Sequence, residues 1–266
     1  MKETIINSIK QIEFLHEIKI LYVCEAGSRA WGIASEESDY DIRFIYIHPA
    51  EHYLSIDPVG IGRKHDVIEK KIDEKLDITG WELSKTLRLY RNSNPSLLEW
   101  LHSSIIYYQS FSTIDKMRKM HASVFVPKTC ILHYMNMAKA NFKKIRAGHH
   151  VHVKNYINVI RPILATRWIS VYQTFPPVDL YFLVKCLLPE GELKDSIMKM
   201  IDEKSAGKEY AEHVEAAAIQ LFIQKEIDKT FTSEKIIPPK ITDPTEELNK
   251  LFRMTLKEVW ELYDFE

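Results

Sequence analysis

Cysteine is scarce in this chain and poorly placed for chemistry. The 266 residues hold three, Cys24, Cys130 and Cys186, far apart and without a CxxC pair. Such a set argues against a disulfide framework and a zinc site, and suits small buried apolar side chains. Net charge is nearly absent as well: 36 basic against 37 acidic residues leave −1. No overall positive field draws the chain onto nucleic acid, although a local basic face is compatible with these numbers. No apolar run approaches the roughly 18 residues a membrane span needs. The opening MKETIINSIKQIEF lacks the apolar core and small-residue cleavage site of a secretion signal. There is no internal repeat, no low-complexity tract and no Ser/His/Asp or Cys/His hydrolase pattern. The expectation is a reduced, soluble, cytoplasmic protein with no membrane partner; nothing in the sequence bears on oligomeric state.

What is present divides in two. Apolar residues make up 45% and charged residues 27%, ordinary values for a globular fold, and the length allows one large domain or two modest ones. Residues 4–16 carry a helical stripe of Ile5, Ile9 and Ile12, continued by Leu15 or His16. KILYVCEAGS reads as a buried strand ending in Gly-Ser. DYDIRFIYIHP alternates: Ile42, Phe44 and Tyr46 on one side, Asp39, Asp41, Arg43 and Ile45 on the other. Residues 50–70 mix Pro, Gly and charge and read as a loop with a hairpin; the GIG at 60–62 reads as a flexible turn. KLDIT is a further strand, and WELSKTLRLYR a helix with Trp81, Leu83, Leu87 and Tyr90 as its apolar positions. Asn94 and Pro95 are the cap and first residue of the next helix. IIYY is an edge strand. Beyond residue 112 helical periodicity dominates, over 128–146, 153–172, 178–188, 192–204, 207–230 and 244–263. Pro162 should kink or divide one of these helices, and IIPPKITDP at 236–244 reads as a linker. The pattern predicts an α+β fold, with an α/β unit over 1–112 and a helical unit over 113–266.

The segment that carries chemistry is AGSRAWGIASEESDYDIRFIYI. Gly-Ser closes one strand and Asp-x-Asp opens the next about ten residues later. Period-2 geometry puts Asp39 and Asp41 on one face, about 7 Å apart. Two neighbouring carboxylates repel, and hard divalent cations resolve that conflict with oxygen ligands shared with substrate phosphates. Gly27 lets a phosphate approach the backbone, and Ser28 offers an N–H and a hydroxyl. Either half of this pattern alone is commonplace; the combination is not.

Strand, Gly-Ser, spacer and Asp-x-Asp together resemble the signature of the nucleotidyltransferase superfamily that includes DNA polymerase β and the aminoglycoside nucleotidyltransferases. GSRAWG, SDYDIR, the LDITGWEL–RNSNPSLLEWL segment and KNYINVIRPILATRW further resemble the YcgL-type bacterial family of polymerase-β-like proteins associated with RNA repair. The resemblance implies a polymerase-β-like palm followed by a helical domain. It implies a third carboxylate on a neighbouring strand, for which Asp77 is the best candidate and Asp73 the second; a capping or turn aspartate is the alternative for Asp77. The implied activity moves a nucleoside monophosphate from a nucleoside triphosphate, ATP foremost, to an acceptor hydroxyl, with Mg²⁺ or Mn²⁺ held by Asp39, Asp41 and Asp77. The acceptor would be an RNA end, a protein hydroxyl or a small alcohol. The rival is a nucleotide-binding regulatory or antitoxin-like module.

The remaining blocks admit two readings each. Arg29 would touch a nucleotide phosphate or sit at the surface. Trp31 would pack under the loop or stack on a base. Lys154, Arg161 and Arg167 would hold triphosphate or acceptor strand, or form a salt-bridged helix face. Glu99 and Trp100 lie mid-helix, with Trp100 in the core. His149, His150 and His152 lack the i, i+4 spacing of helical metal ligands and read as a loop feature.

Overall fold

The computed structural model describes residues 1–56, 65–147, 153–208, 216–229 and 243–261. Helix α1 (Lys2–Leu15) precedes strand β1 (Lys19–Glu25), the short α2 (Gly27–Ala30), β2 (Tyr40–Ile47), the short α3 (Ala50–Tyr53), β3 (Val67–Lys71) and β4 (Leu76–Glu82). Helices α4 (Leu83–Arg91) and α5 (Pro95–Leu101) then lead to β5 (Ile106–Gln109). The five strands form one sheet in the order β3-β4-β2-β1-β5. β2 and β4 run parallel, and the other pairs are antiparallel.

Alternation along the strands builds two cores. Ile42, Phe44, Tyr46 and Ile78 share a cluster with Ile5, Ile9 and Ile12 of α1. Burying each of those three isoleucines contributes roughly 1.5–3 kcal/mol. The stripe stops there: Leu15 and His16 are exposed. Ile45 and Ile47 face the other way and join Leu21, Tyr22 and Cys24. A register shift between Ile20 and Tyr22 lets the successive residues Leu21 and Tyr22 enter this same cluster. Gly80 of β4 makes room for the Phe44 ring, because a Cβ there would come within 2.1 Å of it.

The remaining helices are α6 (Thr113–Val124), α7 (Pro127–Ala147), α8 (Val153–Tyr172), α9 (Leu180–Leu187), α10 (Glu192–Ser205), α11 (Ala216–Asp228) and α12 (Thr245–Trp260). A third cluster fills the space between α7, α8, α9, α10 and α11, and it includes Ile33 from the loop after α2. Residues on both sides of position 112 share the second cluster: Leu87, Leu98 and Leu101 pack with Met117, Leu248 and Leu251. The fold is α+β, a mixed five-stranded sheet followed by a helical C-terminal region. No helix among the described residues is long and apolar enough to cross a membrane.

Several local expectations need correction. β4 runs on through Trp81, whose ring stacks on Trp100 at 3.8 Å, so Trp81 is a strand residue. The following helix starts at Leu83 because the buried Glu82 caps it: its carboxylate accepts from the backbone N–H of Ser84 (2.7 Å) and Lys85 (3.2 Å). Asn94 does cap α5, accepting from Leu97 N at 3.1 Å. Helix α6 has no counterpart in the sequence reading; its charged sequence exposes only a sparse apolar pattern, with Ile114, Met117 and Val124 buried. Pro162 does not divide α8, which runs unbroken from Val153 to Tyr172. Proline has no N–H for the carbonyl four residues earlier, that of Asn158. The Asn141 side chain on α7 donates to that carbonyl at 3.1 Å instead. Cys24 and Cys130 are buried as expected, but Cys186 is exposed. The GIG turn and most of the 236–244 linker lie outside the described residues.

Candidate active site

β1 and β2 are adjacent and antiparallel, so the end of one strand meets the start of the other. The N–H of Ala26 donates to the Asp41 carbonyl at 2.8 Å, which brings the following Gly27 against Asp41. Gly27 has φ +60°, and a Cβ on it would lie 2.1 Å from Asp41 Oδ2. Only glycine satisfies both the dihedral and the close approach. Ser28 follows, and its hydroxyl has no hydrogen-bond partner among the described residues.

Asp41 lies on β2, and the exposed Asp39 immediately precedes the strand. The loop carrying Asp39 is held by Arg29. Its guanidinium donates to the carbonyls of Ser38 (2.7 Å) and Asp39 (3.2 Å) and lies 3.6 Å over the Tyr40 ring. Arg29 thus fixes the loop in this conformation. On the next strand Asp77 pairs in register with Asp41, as Ile42 pairs with Ile78, so both acids share the face opposite α1. Arg43 lies between them, 2.9 Å from Asp41 Oδ1 and 2.8 Å from Asp77 Oδ2. Behind the site Glu25 is fully buried. Its carboxylate accepts from Asp41 N at 2.8 Å and from the Tyr107 hydroxyl at 2.6 Å. Burial pushes the Glu25 pKa up, and these two bonds pull against it.

A cavity of about 340 Å³ opens beside these groups. Gly27, Ser28, Asp39 and Asp41 line it from the palm, while Lys154 of α8 and Lys204 of α10 line it from the helical region. Trp31, Ile33 and Ile157 supply apolar wall, and Asn158 a carboxamide. Lys154, Ile157 and Asn158 stand at i, i+3 and i+4, one face of α8. Lys204 Nζ donates to Ser38 Oγ at 3.3 Å; burial and then the Lys154 charge push its pKa down, opposed by Asp39. Size does not single this cavity out. One of about 350 Å³ lies between α4 and α12, and one of about 430 Å³ beside His16, His48, His52 and His65. Its lining does, because acids, lysines and a glycine turn converge only here among these.

Other sequence candidates lie elsewhere. Asp77 does not line the cavity, since its carboxylate is turned onto Arg43. Arg161 is buried with its guanidinium on Glu99, so it does not reach the cavity. Glu99 also accepts from Tyr134 (3.0 Å) and from the Trp31 indole (3.2 Å), and Arg161 stacks 4.6 Å over the Trp31 ring. Arg161 therefore positions Trp31. Arg167 is a salt-bridged helix residue: it grips Glu226 at 2.8 and 3.0 Å. His149, His150 and His152 lie outside the described residues. Lys204 carried no motif, and Asn158 lies within the KNYINVIRPILATRW block without standing out in it; Glu25 had a visible signal, an acid closing the apolar run KILYVCE.

Among the described residues no three His, Cys, Asp or Glu side chains gather closely enough to hold a metal by themselves. Arg43 is the physical reason near the Asp pair, because it supplies the positive charge between Asp41 and Asp77. Asp39 and Asp41 on one cavity wall still form a hard-oxygen donor set. It fits Mg²⁺ or Mn²⁺, which take one or two carboxylates and complete their shell from phosphate oxygens and water.

The uncharacterized protein YcgL of Bacillus subtilis (strain 168) is 44% identical over 260 residues, 98% of each chain. A crystal structure of a nucleotidyltransferase-like protein from Exiguobacterium sibiricum 255-15 matches 91% of this chain and 86% of its own, at 13% identity and a TM-score of 0.26, too slight a likeness to support any argument. The family model for the RNA repair pathway DNA polymerase beta family, RlaP, matches residues 1–254. This chain belongs to the RNA repair pathway DNA polymerase beta family.

Proposed function

We propose that this protein is a metal-dependent nucleotidyltransferase that moves a nucleoside monophosphate from a nucleoside triphosphate to an acceptor hydroxyl. One observation carries the reading: Gly27, Ser28, Asp39 and Asp41 face Lys154 and Lys204 across a single cavity. The triphosphate lies between the two walls. Lys154 and Lys204 meet its outer oxygens, and the Gly27-Ser28 turn lets its backbone approach. Bound Mg²⁺, held by Asp39, Asp41 and phosphate oxygens, would offset charge on the attacking and leaving oxygens. The acceptor oxygen forms a bond to the α-phosphorus; the bond to the β-phosphate oxygen breaks and pyrophosphate leaves. Asp77, next to Asp41 across β2 and β4, takes the acceptor proton once Arg43 releases it. The acceptor we favour is an RNA end, in keeping with the family's description.

Arg43 supports a second reading. An acid pair already bridged and half-compensated by an arginine also suits a nucleotide sensor, which binds without transferring. Incubation with α-³²P-labelled ATP, CTP, GTP and UTP, Mg²⁺ or Mn²⁺, and total RNA or protein separates the two. The enzyme reading expects label in one acceptor fraction, lost in Asp41→Asn. Equal labelling by both proteins refutes it. Nucleotide binding with no transfer to any acceptor selects the sensor.

A further inference from the structure

Charge is unevenly distributed along this nearly neutral chain. Residues 116–178 contain eleven Lys and Arg and no Asp or Glu, while the other 203 residues hold 25 basic and 37 acidic ones. Such segregation is the electrostatic footprint of an anionic partner. Part of the excess is used inside the fold: Arg118 lies 3.6 Å from Asp115, Arg161 sits on Glu99 and Arg167 on Glu226. Much of the rest is concentrated on α7, whose 21 residues include no acid.

Lys128, Lys139, Lys143 and Lys144 of α7 are all exposed, and none has an acid within ion-pair distance among the described residues. Lys128, Leu132, Asn136, Lys139 and Lys143 follow one another at steps of four, four, three and four, so they form a single exposed stripe. Lys128 and Lys144 stand about 24 Å apart along the helix, at 1.5 Å per residue. Lys139 and Lys143, at i and i+4, repel each other and weaken the helix with no acid to offset it. The interior side of α7 is spent on the core, where Tyr134, Ala138 and Phe142 are buried. The helix therefore lacks the free apolar face that binding to a bilayer surface needs.

The stripe leads toward the cavity. Helix α7 packs along α8, and the Asn141 carboxamide donates to the carbonyl of Asn158, which lines the cavity. One turn from this contact, toward the connection between the two helices, stand Lys144 on α7 and Lys154 on α8, and Lys154 lines the cavity too. Resting on the nucleotidyltransferase reading and its RNA acceptor, we propose that the lysine stripe of α7 is the docking track for the acceptor strand. It holds the strand's phosphates so that one end enters the cavity past Lys154. Its contacts are to phosphate, so the track is indifferent to base sequence.

The test is fluorescence anisotropy of the full chain with a labelled oligouridine of about 15 nucleotides, over about 50 to 200 mM NaCl. One variant carries Lys128→Gln, Lys139→Gln, Lys143→Gln and Lys144→Gln together. Each lost phosphate contact removes about 0.7 from the slope of log affinity against log salt for a single strand, so the slope should become shallower by roughly 3, and low-salt affinity should fall by at least about 10-fold. A control of equal net charge replaces the exposed Lys2, Lys10, Lys225 and Lys250 by Gln and should bind as the parent does. Calorimetric binding of the α,β-methylene analogue of ATP should be the same in all three proteins, since none of the four α7 lysines lines the cavity. The α7 variant should melt no lower than the parent, having lost a like-charge pair; should it not fold, Lys143→Gln with Lys144→Gln carries the test, with a slope change of roughly 1.4. A parent that binds the nucleotide analogue but no RNA, or an α7 variant that binds RNA as the parent does, overturns the track and leaves the cavity reading in place. Equal weakening in the control variant overturns it as well, and so does parent binding to polyglutamate or phosphatidylserine vesicles as tight as to RNA. RNA bound through α7 by a parent that binds no nucleotide analogue upholds the stripe as an RNA surface and removes the nucleotidyltransferase reading beneath it.

Discussion

Removing the Glu99 carboxylate should damage this protein more than removing an active-site aspartate. Glu99→Ala leaves the Arg161 guanidinium in place with its counter-charge gone. The Arg161 side chain is only 2% exposed, and without Glu99 it keeps the Val178 carbonyl at 3.4 Å and the Trp31 ring, neither of which carries a negative charge. An uncompensated buried charge of this kind costs about 3–5 kcal/mol. The Tyr134 hydroxyl and Trp31 indole lose their acceptor at the same time. For a chain of this size each kcal/mol moves the melting temperature by about 2–4 °C, so a fall of roughly 6–20 °C is expected. Glu99→Gln keeps an acceptor oxygen for Tyr134 or Trp31 and should recover part of the loss. Glu99→Leu with Arg161→Met removes both charges, and should melt higher than Glu99→Ala although it carries one more substitution. The assay is differential scanning calorimetry at neutral pH. A Glu99→Ala protein melting within about 2 °C of the parent refutes the reasoning, as does a double variant whose loss equals the sum of the single ones.

Gly27→Ala combines left-handed strain of about 1–2 kcal/mol with a Cβ placed on Asp41; it should melt lower and lose nucleotidyl transfer, and retention of both would contradict the geometry. Asp41→Asn should lower transfer by at least about 10²–10³, yet destabilise by no more than about 1 kcal/mol, since Arg43 keeps Asp77; a kinetic and thermal comparison with the parent decides. His121 is packed among His102, Phe125 and Phe175, and burial pushes its pKa down from 6.5 to about 4. Its depressed folded pKa means the unfolded chain takes the proton first, so this stability is present above pH 6.5 and lost as pH falls toward 4. Both ring nitrogens of His121 are buried without hydrogen-bond partners among the described residues. His121→Phe should therefore melt higher than the parent, by a margin that widens below pH 6.5; a margin independent of pH counts against the assignment.

The sequence was most legible where local geometry and chemistry coincide. Period-2 alternation placed Ile42, Phe44 and Tyr46 on one side of β2 and Asp41 and Arg43 on the other, because a sheet with two different cores leaves that pattern intact. Asn94 and Pro95 announced a helix start through capping chemistry that acts over three residues. Trp81 misled because the strand continues until Glu82 can cap, and a tryptophan suits a strand or a helix equally by apolar character. Pro162 misled because its defect is repaired by Asn141, on another helix and 17 residues earlier than the carbonyl it serves. In the candidate site, Gly27, Ser28, Asp39 and Asp41 are close in sequence and were readable together. Lys204 faces them from 163 or more residues further along the chain, counted from Asp41, and no local pattern marks it. Arg161 and Arg167 show the complementary difficulty: an arginine's charge is plain in the sequence, but its partners, Glu99 and Glu226, are chosen by packing.

Helix α12 bears on how the protein is made. Although it comes late in the chain, it closes the core of the first half: Leu248 and Leu251 bury beside Leu87, Phe252 packs edge-on to Tyr53 at 5.0 Å, and Arg91 donates to Thr245 at 2.8 Å. Thr255 meets Thr113 at the start of α6. During synthesis the sheet and its acids leave the ribosome long before this helix does. Until α12 arrives, the apolar surface of α4 and α6 stays open to water and to other chains, a state that favours aggregation. The nascent palm thus waits for residues 245–260 to be translated before it can finish its own interior, and a product cut short ahead of residue 245 would carry every aspartate of the site on an unfinished core.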